Sequence, residues 1–262
     1  MKSFALALMF VCAIDGQTRA LTPGDLARVT FQQHPGLQVS PDLVFRDQDN
    51  RLFRFGDHFG KQPTVLVLGY YRCPMLCSLI NDGLIHALQE LPLSVGKDFQ
   101  LIDVSIDPEE TPASAAAKRS EYLREYGHPK GSNGWHFLVG DQRAITRLAD
   151  QTGFRYVYDP QTRQYAHPSG AIVLTPEGKI SRYVFGVRLN ARELRDALVA
   201  AKEGKSSSSV SQLFLLCYHY NPITGKYGPL ILSVLRIAGL GFLAAIFWFV
   251  FSMAHRSTGG PA

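Results

Sequence analysis

"TVLVLGYYRCPMLCSLI" (64–80) joins an apolar run to a loop that carries two cysteines, and this stretch decides the fold. Residues 64–71 are β-branched or apolar almost throughout, which is typical of a central strand that is covered on both faces. Apolar residues then recur at helical spacing over 75–91. The stretch therefore predicts a buried strand, a loop with two thiols, and a helix.

Further elements alternate in type on both sides of this stretch. Two short alternating runs around Asp49 and Asn50 predict a β-hairpin before the strand. After the helix, the patterns predict a strand, a helix, a strand, a helix, a hairpin and a last helix, at 99–107, 111–127, 135–140, 141–153, 170–186 and 190–204. This order, with a parallel first crossover, predicts an α/β domain of the thioredoxin-like type over 41–204.

The two ends of the chain predict export and membrane attachment. Residues 1–20 combine one Lys with an apolar run and small residues, which is the layout of a secretory signal peptide. Residues 230–254 carry Arg236 as their only charge and are long enough for a transmembrane helix, which needs about 20 apolar residues. A buried core helix is the alternative for this segment.

These end segments give the predicted domain organisation and location. A linker and juxtamembrane segment covers 205–229, and a cytoplasmic tail covers 255–262. The globular domain is then expected outside the cytoplasm, in the periplasm of a bacterium, held at the inner membrane by a single pass. The net charge of +5 comes without a Lys/Arg cluster, so nucleic acid is not expected as a partner.

The spacing of Cys73 and Cys77 is compatible with two kinds of thiol chemistry. Pro74 suits the first turn of a helix, so we expect Cys73 at the cap and Cys77 one turn inside. Helical residues four apart have Cβ atoms about 5–6 Å apart, which suits a shared metal ion. A disulfide needs about 3.5–4.5 Å and therefore some adjustment of the loop. Two thiolates select Cu(I), zinc or an iron–sulfur cluster, and one imidazole would complete a trigonal copper site.

Among the eight histidines, His167 is the strongest candidate for a third ligand. It stands in a polar stretch directly before the predicted hairpin, and we expect it on a loop. In thioredoxin-like folds the loop before this strand faces the redox loop. The alternative is a loop histidine that is simply exposed to water.

Three ordered motifs, "YRCPMLCSLI", "VSIDPEETP" and "HPSGAIVLTPEGKISRYVFG", resemble the SCO/SenC family of thioredoxin-like proteins over 41–202. The resemblance implies that Cys73, Cys77 and His167 bind copper as Cu(I) or Cu(II). It also implies delivery of copper to the binuclear centre of cytochrome c oxidase. The copper-bearing oxidase subunit, the membrane and other periplasmic copper chaperones are the implied partners.

Some residues near the thiols differ from the pattern of the family. Arg72 stands where a His is common, and Met75 and Leu76 replace a loop that usually carries an acidic residue. Arg72 would favour thiolates, and the apolar pair would exclude water.

Asp107 is expected either to cap the turn at Pro108 or to help dock a partner. Asp103, on the predicted strand, is expected to make a structural polar contact.

Cys217 and His219 form a further candidate metal pair, with a tyrosine-rich segment at the membrane interface as the alternative.

For the whole protein, a thiol–disulfide oxidoreductase is the main rival to a copper chaperone, with Cys73 attacking and Cys77 resolving. A peroxiredoxin is disfavoured because Pro and Thr are missing before the first cysteine. A purely structural or sensory role is the remaining class.

Overall fold

The computed structural model describes residues 21–72, 77–127, 132–186, 188–207, 216–217, 236–243, 246 and 248. The chain divides into two compact units, Met1–Tyr218 and His219–Ala262. The predicted signal peptide and the predicted tail at 255–262 lie outside the described residues.

The first unit alternates strands and helices along the chain. Its strands are β1 (Thr30–Phe31), β2 (Val44–Arg46), β3 (Leu52–Arg54), β4 (Thr64–Gly69), β5 (Gln100–Ser105), β6 (Trp135–Leu138), β7 (Phe154–Arg155), β8 (Val157–Asp159), β9 (Gln164–Pro168), β10 (Gly170–Leu174), β11 (Ile180–Phe185) and β12 (Leu216–Cys217). Its helices are α1 (Pro23–Leu26), α2 (Cys77–Glu90), α3 (Pro112–Tyr126), α4 (Gln142–Thr152) and α5 (Ala191–Lys202).

A five-stranded sheet in the order β11-β10-β4-β5-β6 forms the centre of this unit. The strands β4, β5 and β6 are parallel to one another, whereas β10 is antiparallel to both β4 and β11. A parallel pair needs a crossover connection, and α2 and α3 lie between these strands in the chain. The predicted parallel crossover and the predicted C-terminal hairpin are both confirmed.

Two apolar clusters cover the two faces of the sheet. Val65 and Leu101 belong to one cluster, together with residues of α2, α3 and α5. Leu66 and Ile102 belong to the other, together with residues of α4 and of the β2–β3 hairpin. Adjacent residues of a strand point to opposite faces, so a sheet covered on both sides requires apolar residues at successive positions. This explains the uninterrupted apolar run of β4.

Several predicted element ends are confirmed by their capping contacts. The Thr111 side chain accepts from the N–H of Ser114 before α3, and Gly127 ends that helix in the left-handed conformation at φ 72°. The predicted hairpin around Asn50 is present as β2 and β3, with Asn50 at φ 61°. Short side chains that bond to the backbone are strong local signals, which is why these boundaries could be predicted.

The prediction of a loop at His167 is wrong, because this residue lies on β9. The polar stretch before it forms a turn between β8 and β9, which pair in antiparallel register. The Asp159 carboxylate accepts from the N–H of Gln161 at 2.9 Å and from the Thr162 hydroxyl at 2.9 Å. These contacts close a hairpin, so the polar residues mark its turn and the strand continues beyond them to Pro168.

The second unit contains the predicted membrane-spanning segment. Within 230–254 the described residues are 236–243, 246 and 248, and 236–243 are helical. No helix among the residues that the structure describes has both the length and the hydropathy required to cross a bilayer. Most of the predicted span lies outside the described residues.

Candidate metal and thiol site

The carboxyl end of β4 is where the chain leaves the sheet toward the thiols. The N–H of Ile106 donates to the carbonyl oxygen of Gly69 at 2.7 Å, which ties this end of β4 to the segment after β5. Residues 73–76 lie outside the described part of the chain, and so does the side chain of Cys77, the first residue of α2. The expected positions of the two thiols therefore stay predictions.

His167 is buried on β9, with 4% of its surface exposed. Its Nδ1 lies 3.0 Å from the carbonyl oxygen of Pro168. A carbonyl oxygen can only accept, so this contact requires the proton on Nδ1, and Nε2 of the neutral ring then carries the lone pair that binds metals. The ring centroids of Tyr70 and Phe154 lie 5.8 Å and 5.9 Å from that of His167, and their packing restrains its orientation.

His167 lies beside the strand that leads into the cysteine loop. A Cβ atom placed on Gly69 would be 3.9 Å from Cε1 of His167, which is ordinary van der Waals distance. Gly69 ends β4 and precedes Cys73 by four positions in the sequence. Gly69 and His167, which are far apart in the sequence, thus lie close together at the end of β4 that leads to Cys73.

Two other described histidines, His58 and His136, pack against aromatic rings. His58 stacks on Phe53 with ring centroids 3.8 Å apart, and His136 packs edge-on against His58 at 4.8 Å. Burial, followed by the nearby His58, lowers the pKa of His136 to about 4. Within the described residues no three His, Cys, Asp or Glu side chains come together to hold a metal ion, but the side chains of Cys73 and Cys77 lie outside that set.

Arg72 precedes Cys73 and contacts two carboxylates. Its guanidinium lies 3.5 Å from an oxygen of Asp107 and 3.7 Å from an oxygen of Glu110. The two carboxylates therefore offset part of the positive charge of Arg72, which weakens its predicted effect of favouring thiolates in the loop. Asp107 also accepts from the N–H of Glu109 at 2.9 Å, so the predicted turn-capping role of Asp107 is confirmed.

Asp103 is a buried carboxyl on β5, 4% exposed, and the predicted structural role fits its surroundings. Burial raises the pKa of Asp103 to about 7, since removal from water disfavours the ionised form. Lys118 and a hydrogen bond with Tyr122 act in the opposite direction, and Glu110 adds to the increase. Asp103 is therefore protonated below neutral pH in the folded chain, whereas an unfolded chain would ionise it at a pKa of about 3.9.

The Asp103→Asn variant is expected to lose a pH dependence of stability. Between about pH 4 and pH 7 the native state holds a proton that the unfolded state releases, so native stability falls as pH rises through this window. The amide cannot ionise, so the variant should gain about 3 kcal/mol relative to the native chain between pH 5 and pH 8, because each pH unit between the two pKa values changes stability by about 1.4 kcal/mol. Urea midpoints at both pH values measure the gain. Asp49→Asn, on an exposed hairpin turn, is the control; equal pH slopes in all three chains would contradict the prediction.

Cys217 is placed by strand pairing opposite the predicted histidine ligand. The strand β12 pairs antiparallel with β9, with Cys217 in register with His167. The side chain of Cys217 and all of His219 lie outside the described residues. The metal-binding interpretation of this pair therefore stays a prediction, now with Cys217 next to His167 in the sheet.

Glu110, which no sequence pattern indicates, is buried beside Tyr71 and Arg72. Its carboxylate accepts from the backbone N–H groups of Tyr71 at 2.9 Å and of Arg72 at 2.7 Å. The available signal was its position in "DPEET", just after β5. The parallel strands β4 and β5 end at the same edge of the sheet. A residue just after β5, such as Glu110, therefore lies near the segment that follows β4.

The fold and the site together define a class of protein. A parallel β4-β5-β6 core with an antiparallel β10–β11 hairpin, and a thiol loop after its first strand, is a thioredoxin-like domain. A histidine, His167, also packs beside the end of β4. The SCO1/SenC family model matches residues 32–202, and the chain belongs to this family.

Solved structures of similar proteins cover the same part of the chain. A candidate electron transfer protein from Aquifex aeolicus VF5 is 28% identical, with a TM-score of 0.57, over 66% of this chain and 96% of that one. ScoI of Arabidopsis thaliana, solved with copper bound, is 20% identical, with a TM-score of 0.50, over 66% and 98%. BsSco, a member of the Sco family of cytochrome c oxidase assembly proteins in which a disulfide switch was identified, is 20% identical, with a TM-score of 0.52, over 66% and 98%. No curated protein matches the chain.

Proposed function

We propose that the chain is a copper metallochaperone that holds Cu(I) between Cys73, Cys77 and His167 and delivers it to the binuclear copper centre of cytochrome c oxidase during assembly. The observation that carries the proposal is the position of His167. Its ring lies next to Gly69, and the Nδ1 contact with the carbonyl oxygen of Pro168 puts the ring proton on Nδ1, so that Nε2 is the nitrogen with the donor lone pair. Two thiolates and one imidazole form a soft donor set that suits Cu(I).

Family relatives support copper as the cargo and the oxidase as the partner. The Arabidopsis ScoI structure contains copper, and BsSco belongs to a family of cytochrome c oxidase assembly proteins. For this chain, the copper-bearing oxidase subunit is the proposed recipient, and other periplasmic copper chaperones are proposed donors. Because His167 is buried, incoming ligands are expected to reach the copper from the side of the thiol loop.

A thiol–disulfide oxidoreductase is the second candidate function, favoured by the disulfide switch described for BsSco. Cys73 would attack a disulfide between the copper-site cysteines of the oxidase, and Cys77 would resolve the mixed disulfide. The chain would leave with a disulfide of its own, and the oxidase would gain two thiols. This reaction needs both cysteines and does not need His167.

We further propose that the domain works outside the cytoplasm while attached to the bacterial inner membrane. A removable signal at 1–20 and a membrane-spanning helix at 230–254 would produce this arrangement, with the tail at 255–262 inside. Tethering would keep the copper site near a membrane-bound recipient and raise its effective concentration there.

Deletion and complementation in the native organism test the chaperone function. At limiting copper, deletion of the gene should lower the copper content of the purified oxidase. The native gene should restore the copper, and a His167→Phe gene should not. Oxidase that is fully loaded in the deletion strain would contradict a role in assembly. Full restoration by the His167→Phe gene would instead favour the thiol–disulfide function.

A further inference from the structure

Glu110 is a buried carboxylate that joins the two loops at the carboxyl edge of the sheet. Its side chain has 0% of its surface exposed. One oxygen accepts from the N–H of Tyr71 at 2.9 Å and from the Ser105 hydroxyl at 2.5 Å, and the other accepts from the N–H of Arg72 at 2.7 Å. Three donors thus converge on one side chain, and two of them are successive backbone groups of a single segment.

These contacts suit a carboxyl group, which has two oxygens that can accept hydrogen bonds. Ionised acceptors make hydrogen bonds about twice as strong as neutral ones, and a buried carboxylate without such partners would be strongly destabilising. A glutamine has the same size but only one acceptor oxygen, and its NH₂ group would face a backbone N–H. The neighbouring Glu109 is exposed. The two adjacent glutamates therefore offer a matched comparison.

The anchored segment lies between β4 and the first proposed copper ligand. Gly69 ends β4 next to His167, Glu110 holds Tyr71 and Arg72, and Cys73 follows in the sequence. His167 is held independently by β9 and by its ring contacts. The backbone at the loop entrance is therefore held by Glu110, while the Tyr71 hydroxyl donates separately to the carbonyl oxygens of Asp103 and Leu138.

We propose that Glu110 is a positioning residue for copper: it fixes the entrance of the cysteine loop at the distance from His167 that three-coordinate binding needs. This inference rests on the proposed copper-binding function. Preorganisation strengthens binding because the bound geometry no longer has to be ordered when the ligand arrives. The anchor thus acts on copper affinity and not only on folding.

Cu(I) affinities of the purified full chain, measured by competition with a coloured Cu(I) chelator, test this role. Glu110→Gln should weaken Cu(I) binding about tenfold, as expected for residues that support metal ligands. Glu109→Gln should bind as tightly as the native chain. Ser105→Ala, which removes one contact of the same carboxylate, should weaken binding less than Glu110→Gln and serves as the milder variant if the latter folds poorly.

A double-mutant cycle with His167→Phe distinguishes positioning from general destabilisation. If Glu110 sets the distance to His167, Glu110→Gln should change Cu(I) affinity less than twofold in the His167→Phe background, because the third ligand is already absent. An equal tenfold loss in both backgrounds would overturn the positioning role, and so would native affinity in folded Glu110→Gln and Ser105→Ala chains. A native chain that binds no Cu(I) would overturn the proposed function itself.

Discussion

A chain in which Cys73 and Cys77 are both replaced by Ser is expected to bind Cu(I) about 10,000-fold more weakly than the native chain. Structural metal sites with four ligands bind with about 10–16 kcal/mol, or about 3 kcal/mol for each ligand. Two lost thiolates then cost about 6 kcal/mol, and each 1.4 kcal/mol is about tenfold in affinity. Serine keeps nearly the same shape but offers a hard oxygen, which Cu(I) disfavours.

Cys217→Ser is the comparison for this prediction and should keep native affinity, because the proposed copper centre uses only Cys73, Cys77 and His167; the same variant tests the separate prediction that Cys217 and His219 bind a metal. Cys217 lies in register with His167 and is the third cysteine that remains after removal of the predicted signal. Chelator competition gives the affinity of each chain, and thermal melting shows that each is folded. If Cys217→Ser loses copper while the chain with Ser at both 73 and 77 keeps it, the copper site does not consist of Cys73 and Cys77.

Replacing His167 by Phe is expected to lower Cu(I) affinity about 100-fold, which corresponds to one ligand of about 3 kcal/mol. Phenylalanine retains a ring that can pack against Tyr70 and Phe154 but has no nitrogen. The variant should still reduce a model disulfide at the native rate, because that reaction uses only the cysteines. It therefore separates the two candidate functions in one purified protein.

His86→Phe serves as the control for this histidine, since the His86 side chain is 77% exposed on α2. We expect no change in copper affinity from this substitution. His167→Cys provides a rescue, because a third thiolate can replace the imidazole as a soft ligand. Native Cu(I) affinity in a folded His167→Phe chain would leave the thiol–disulfide reaction as the better assignment.

Much of the fold could be predicted because its signals are local. The apolar run of β4, the Thr111 cap and the Gly127 end of α3 each depend on neighbouring residues in the sequence. Binary patterning and capping therefore indicate the order of the elements. That order, together with the rule for parallel crossovers, was enough to predict the thioredoxin-like arrangement.

The surroundings of the candidate site depended on contacts that are distant in sequence. The residues around Asp159 are polar and indicate a loop, whereas the pairing of β8 with β9 turns them into a hairpin and places His167 on a buried strand. Glu110 has no recognisable pattern, because its role appears only when the end of β5 lies beside Tyr71 and Arg72. Buried polar contacts of this kind follow from tertiary packing, which one sequence does not encode locally.

Copper X-ray absorption on the Cu(I)-loaded chain tests most directly whether His167 joins the two thiols. We predict two sulfur ligands and one nitrogen ligand for each copper in the native chain, and two sulfurs alone in His167→Phe. A nitrogen ligand that persists in His167→Phe, or a native site built only from sulfur, would contradict the proposed copper centre.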